Sequence, residues 1–117
     1  MKVCDLPYRR LSAEKIREEM EKVLSLLSEA GDTDAVLRAR EEYLALMLEY
    51  RTEAALAYMR YSINTADEYY VAENAYYDEI GPMVQNYSVR YASALLDSPF
   101  RAELEEKLSP QIGRAHV

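Results

Sequence analysis

Two stretches of roughly thirty residues each, separated only by Asn64-Thr65, carry apolar side chains at helical spacing, and they dominate what this chain can fold into. At 1.5 Å of rise per residue each stretch is about 45 Å long, more than a compact small domain needs. The first of them, helix 2 of the chain, starts after Asp32 or Thr33 and runs to about Ile63. Val36, Leu37, Tyr43, Leu44, Met47, Leu48, Ala55 and Tyr58 mark its main apolar stripe. Leu46, Tyr50, Leu56, Met59 and Tyr61 widen that stripe, so neighbours are expected on more than one side. The third helix runs from about Ala66 to Leu96, with Tyr69, Tyr70, Tyr76, Tyr77, Ile80, Val84, Tyr87, Tyr91 and Leu95 as its apolar and aromatic positions. Thr65-Ala66-Asp67-Glu68 reads as its capping box, with Thr65 at the N-cap and Glu68 reaching back. Gly81-Pro82 interrupts the pattern, and a kink or short break is expected there.

A shorter first helix precedes this pair, from about Ala13 to Ala30. Ser12 suits its N-cap, Leu11 and Ile16 stand at staple positions, and Gly31 suits a left-handed exit. Ser98-Pro99 starts a fourth helix as N-cap and N1, carrying Phe100, Leu104 and Leu108. No segment alternates with period two, so no strand is expected. The fold class is therefore all-α: a long antiparallel helical hairpin of helices 2 and 3, a shorter N-terminal helix and the start of a fourth. Only 3 glycines and 4 prolines in 117 residues agree with long elements and short connections.

Charge and residue counts exclude several functions. A net charge of −7 disfavours nucleic acid and anionic membranes as partners. No apolar run is long enough to span a membrane, and residues 1–7 lack a signal-peptide core, which points to the cytoplasm. With one cysteine, Cys4, there is no disulfide framework, and its only possible histidine partner, His116, stands second from the end of the chain. With one histidine, His116, neither a two-histidine zinc helix nor a di-iron bundle is available. Asp67, Glu68, Glu73, Asp78 and Glu79 form an acidic run without the glycine-hinged loop that wraps calcium, and read as a solvated face. There is no phosphate-binding glycine loop. No residue is therefore assigned as catalytic, cofactor-binding or metal-ligating.

The 11 tyrosines, against one phenylalanine and no tryptophan, are the unusual feature. Tyr58, Tyr61, Tyr69, Tyr70, Tyr76 and Tyr77 gather near the turn between the long helices. They suit either a helix–helix core whose phenols find backbone or carboxylate partners, or a half-wet peptide-binding wall. Arg60, Glu73 and Asp78 are candidate buried partners for them.

The end of the chain, Gln111-Ile112-Gly113-Arg114-Ala115-His116-Val117, leaves the helical pattern at Pro110 without building a cap. ATC GGA AGA GCA CAC GTC, a common sequencing-adapter string, translates to Ile-Gly-Arg-Ala-His-Val and is followed by a stop codon. The preceding AG permits Gln111. The expectation is that 1–110 is natural sequence, an incomplete domain, and that 111–117 is adapter-encoded. Without Arg114 the chain carries 13 basic against 21 acidic groups.

One ordered string resembles a known family. Arg60-Tyr61-Ser62-Ile63-Asn64-Thr65-Ala66-Asp67-Glu68-Tyr69-Tyr70 is similar to the N-terminal helical region of oligoendopeptidase F and thimet oligopeptidase-type zinc metallopeptidases. The resemblance continues through Glu73, Tyr76-Tyr77-Asp78-Glu79-Ile80-Gly81-Pro82 and Ser98-Pro99-Phe100-Arg101, then Glu103-Leu104-Glu105. It begins at Asp5-Leu6-Pro7-Tyr8-Arg9-Arg10 and so covers about residues 5–108. Asn64 departs from the Asp common at that place, changing a charge while keeping a residue suited to a break. The resemblance implies a parent that cuts short peptides in a deep channel. Its zinc would be held by a downstream His-Glu-x-x-His helix and a further Glu, with these N-terminal helices as a channel wall. It transfers a scaffold role and no catalytic residue; oligopeptides would be met through the missing catalytic domain. The alternatives are a standalone helical-bundle interaction module and a peptide binder acting through the tyrosine-rich turn.

Overall fold

The computed structural model describes the backbone of residues 9–115 and the side chains of residues 9–108. Among these residues the chain forms α1 (Ala13–Glu29), α2 (Thr33–Ile63), α3 (Glu68–Leu96) and α4 (Arg101–Ala115), with no strand. Helices α1, α2 and α3 pack against one another in all three pairings. The two long helices form the expected hairpin, with α1 laid along it.

The burial pattern explains that packing. On α2 the buried and half-buried line runs Val36, Ala39, Tyr43, Leu46, Tyr50, Glu53, Ala57, Arg60, alternating steps of three and four. On α3 it runs Glu73, Tyr77, Ile80, Val84, Tyr87, Tyr91 with the same alternation, and on α1 Ile16, Met20, Val23, Leu27. This is the 3.5-residue period of helices that pack lengthwise rather than crossing steeply. Ile16, Met20, Val23 and Val36 are the largest fully buried side chains, each contributing about 1.5–3 kcal/mol of burial.

The α2 seam corrects the stripe read from the sequence. Leu44, Leu48 and Tyr58 are exposed, as are Met59 and Ile63, while Ala39, Glu53, Ala57 and Arg60 are buried. Val36, Tyr43 and Met47 of the expected stripe do face inward, but small and charged residues share that inner line while several large apolar ones lie on the outer face. Leu48 and Ile63 are 68% and 64% exposed.

The Ser12 cap is as expected, and of the two starts open for α2 the structure takes the one after Asp32. The Ser12 hydroxyl accepts from the Lys15 N–H at 3.3 Å, and the Asp32 carboxylate accepts from the Ala35 N–H at 2.8 Å. Leu11 and Ile16, the staple pair, are both in the core. Other boundaries differ. No glycine among the described residues has a positive φ, so Gly31 is not a left-handed exit. Ala30 instead leaves α1 in an extended conformation, its N–H returning to Leu27, and this delivers the chain directly to the Asp32 cap. Thr65 is not the α3 cap. Asp67 is, accepting from the N–H groups of Tyr69 and Tyr70 at 2.8 and 3.1 Å, while Asn64 takes the Ala66 N–H. A carboxylate that captures two orphan donors outcompetes the single hydroxyl two residues earlier.

Gly81-Pro82 produces no break: α3 continues through both residues. Pro82 and Asp78 are both exposed, so the hydrogen bond that Pro82 cannot make is lost on the outer side of the helix. Ser98 nucleates a turn rather than capping a helix at Pro99. Its hydroxyl accepts from the Phe100 N–H at 3.1 Å, its carbonyl accepts from Arg101, and α4 begins at Arg101. The backbone also stays helical past Pro110 as far as Ala115, where the sequence pattern had suggested a stop. Cys4, residues 5–8 and His116 lie outside the described residues.

Candidate functional site

The densest polar arrangement lies where the extended segment 9–12 meets α2 and α3. Ser12 stops α1 from extending backwards, so the preceding backbone enters with its N–H and C=O groups unpaired by helix. Two tyrosines on α3 take them. The Tyr77 hydroxyl accepts from the Leu11 N–H at 2.9 Å and donates to the Arg9 carbonyl at 3.5 Å. The Tyr76 hydroxyl accepts from the Ala13 N–H at 2.7 Å and donates to the Leu11 carbonyl at 2.8 Å. Each phenol uses both its donor and its acceptor capacity on main chain, much as a neighbouring strand would. The two rings meet edge to face, 5.1 Å apart at 83°.

Adjacent arginines then tie the segment to both long helices. Arg10 reaches α3, with Nε 2.8 Å and Nη2 2.5 Å from the two oxygens of Glu73, a bidentate pair. Its guanidinium also lies over the Tyr76 ring at 4.2 Å. Arg9 reaches α2, 3.0 Å from Glu49 and 3.4 Å from Glu53. Glu73 is only 6% exposed, so its carboxylate depends on these donors.

Burial pushes the Tyr77 phenol upward from its ordinary pKa, its bond to Leu11 works against this, and the Glu53, Tyr76 and Glu73 charges reinforce it. Tyr50, near Tyr77 in the same core, is raised by burial and then by the charge of exposed Asp78. At the other end of α3, Tyr91 stacks on Tyr43 with centroids 3.6 Å apart, and burial pushes its phenol up to about 12. These hydroxyls stay protonated and structural at neutral pH.

Of the candidate partners for the tyrosines, Glu73 and Arg60 are buried and Asp78 is exposed. Tyr76 and Tyr77 take backbone partners. Tyr58 and Tyr69, 60% and 52% exposed, face solvent at the turn. Among the described residues no three His, Cys, Asp or Glu side chains converge to hold a metal ion. The arrangement can clamp a backbone; it offers no nucleophile–base pair.

A family model described as the peptidase M3 N-terminal domain matches residues 4–115. The chain belongs to this family. Among curated proteins none matches it. Two solved structures resemble it closely. One, of PZ peptidase A with an inhibitor, is 32% identical with a TM-score of 0.87, covering 95% of this chain and 20% of that one. The other, described as an oligoendopeptidase F, has the same identity and TM-score over 96% of this chain and 20% of that one. The chain thus spans about one fifth of the length of these two neighbours.

Within this peptidase M3 N-terminal domain, the string that carries the resemblance covers the end of α2, the turn and the first half of α3. It supplies Glu73, Tyr76 and Tyr77 to the clasp. The clasp itself was not legible as a site, because Arg9 and Arg10 belong to no periodic element and nothing in their spacing announces a partner sixty residues away.

Proposed function

We propose that this chain is the N-terminal helical wall of a zinc-dependent oligoendopeptidase, the part that restricts access to a channel where short peptides are hydrolysed. On this reading the chain alone hydrolyses nothing. The observation that carries it is the match of 95% of this chain to 20% of a peptidase of known structure at a TM-score of 0.87. The zinc, its water and the general base would be supplied by sequence outside these residues. The described residues do not fit a zinc ion, since no three ligating side chains meet, and no catalytic step runs through them. Oligopeptides are the partner class, engaged by the whole parent, and the cytoplasm is the compartment. Neither nucleic acid nor membrane is a partner, in keeping with the net charge of −7. No helix among the described residues is long and apolar enough to cross a membrane.

The exposed outer line of α2, with Leu44, Leu48, Ala55, Met59 and Ile63, fits a wall helix that has further protein to pack against. The test is hydrolysis of quenched-fluorescent oligopeptides by the purified 117-residue chain, with and without added zinc. No cleavage above buffer is expected. Chelator-sensitive cleavage that co-purifies with the chain would overturn the scaffold reading. Saturable peptide binding without cleavage would favour the standalone binding module instead.

A further inference from the structure

We propose that α4 is a hinged arm, docked reversibly on the bundle by a polar latch at the first turn of α2. This concerns the fold of the chain itself and stands apart from the peptidase reading. Along Arg101–Lys107 every side chain is exposed except Leu104, and Leu108 is only half-buried. Over the described side chains 101–108, a single buried residue offers little to oppose release of this stretch.

The seat beneath it is an open apolar groove. A cavity of about 130 Å³, lined chiefly by Arg40, Leu95, Leu96, Leu104 and Leu108, lies between α4 and the adjoining ends of α2 and α3. The groove is open to solvent along one side, so apolar surface there is not closed between α4 and the bundle. By contrast Ile16, Met20 and Val36 in the three-helix bundle are fully buried.

What holds α4 down is polar and local. The Thr33 hydroxyl donates to the Glu103 carboxylate, and Lys107 lies 3.2 Å from Asp34. Both partners on α2 belong to its first turn, where backbone N–H groups lack helical acceptors and favour a nearby carboxylate. Thr33 is buried and Asp34 exposed, so the Thr33–Glu103 bond is the sheltered half of the latch and the Lys107–Asp34 pair the solvated half. The hinge is the non-helical stretch 97–100, where the Asp97 and Ser98 N–H groups return to α3 and α4 starts afresh at Arg101. An element with few buried contacts and a separate hinge opens as its own cooperative unit, below the free energy of global unfolding.

Native-state amide hydrogen exchange on the full 117-residue chain tests this. Amides of residues 105–108 should exchange at least tenfold faster than those at the centres of α1, α2 and α3. Equal rates in all four helices would overturn the proposal. Thr33→Val keeps the buried shape and removes the donor. It should speed exchange at 105–108 at least threefold further while α1 and α3 stay unchanged. No change in α4, or an equal acceleration of every helix, would overturn the latch.

Discussion

Tyr76 and Tyr77 differ from Tyr58 and Tyr69 in everything but residue type. The first pair is turned inward, and its hydroxyls bond the backbone of residues 9–13 at distances from 2.7 to 3.5 Å. The second pair flanks the α2–α3 turn and is more than half exposed. Both pairs stand within twenty residues of one another and share the same amphipathic chemistry. The difference lies in what passes nearby: an extended segment with unpaired backbone groups gives Tyr76 and Tyr77 two main-chain partners each, whereas Tyr58 and Tyr69 stand beside a turn whose backbone is already capped by Asn64 and Asp67. A tyrosine-rich stretch is therefore no single surface. Tyr76 and Tyr77 are internal scaffolding, and Tyr58 and Tyr69 are mostly exposed.

The comparison can be broken most severely at Tyr77. Replacing a buried aromatic side chain by Ala costs about 3–5 kcal/mol, and here it also strands the Leu11 N–H. Denaturant unfolding of Tyr77→Ala should show this loss, and a change below about 1 kcal/mol would mean the clasp does not hold the fold. Arg10→Met comes next. It leaves the buried Glu73 carboxylate without its bidentate partner, and a cost of about 2–3 kcal/mol is expected because Arg10 itself is half exposed. A neutral result in the same unfolding experiment would show that Glu73 is satisfied without Arg10.

An alkaline titration gives a smaller effect. Tyr91 has its folded pKa pushed up to about 12, against about 10 in an unfolded chain. A raised folded pKa contributes stability that is fully present below pH 10 and is lost as pH rises toward 12, where the unfolded state sheds the proton first. The melting temperature should fall across that window, and Tyr91→Phe should fall less steeply. Parallel curves for the two proteins would remove Tyr91 as the cause. Smallest of all, Tyr58→Ser and Tyr69→Ser should each shift stability by less than about 0.5 kcal/mol. A loss comparable to Tyr77→Ala would erase the distinction between the two pairs.

Helix number, order and the caps at Ser12 and Asp32 are legible in the sequence because each rests on local chemistry: a side-chain acceptor ahead of an apolar period. The inner face of α2 is less so. Its seam contains Ala39, Glu53, Ala57 and Arg60, which a hydrophobic pattern passes over, whereas Leu44, Leu48 and Ile63 attract attention and lie outside. The choice between Thr65 and Asp67 needed geometry, since both satisfy the composition of a cap. The clasp was beyond reach for a different reason. Glu73 and Tyr76 were noted as polar or aromatic positions, yet their partners are an arginine and main-chain atoms 63 to 65 residues away, and long-range pairing leaves no local signature.

The most direct test of the scaffold account is the nucleotide sequence of the locus beyond the codon for Pro110. The account predicts an open reading frame that departs from Ile112–Val117 and continues into a His-Glu-x-x-His helix with a further glutamate downstream. A genomic reading frame that encodes Ile-Gly-Arg-Ala-His-Val and then stops would contradict it.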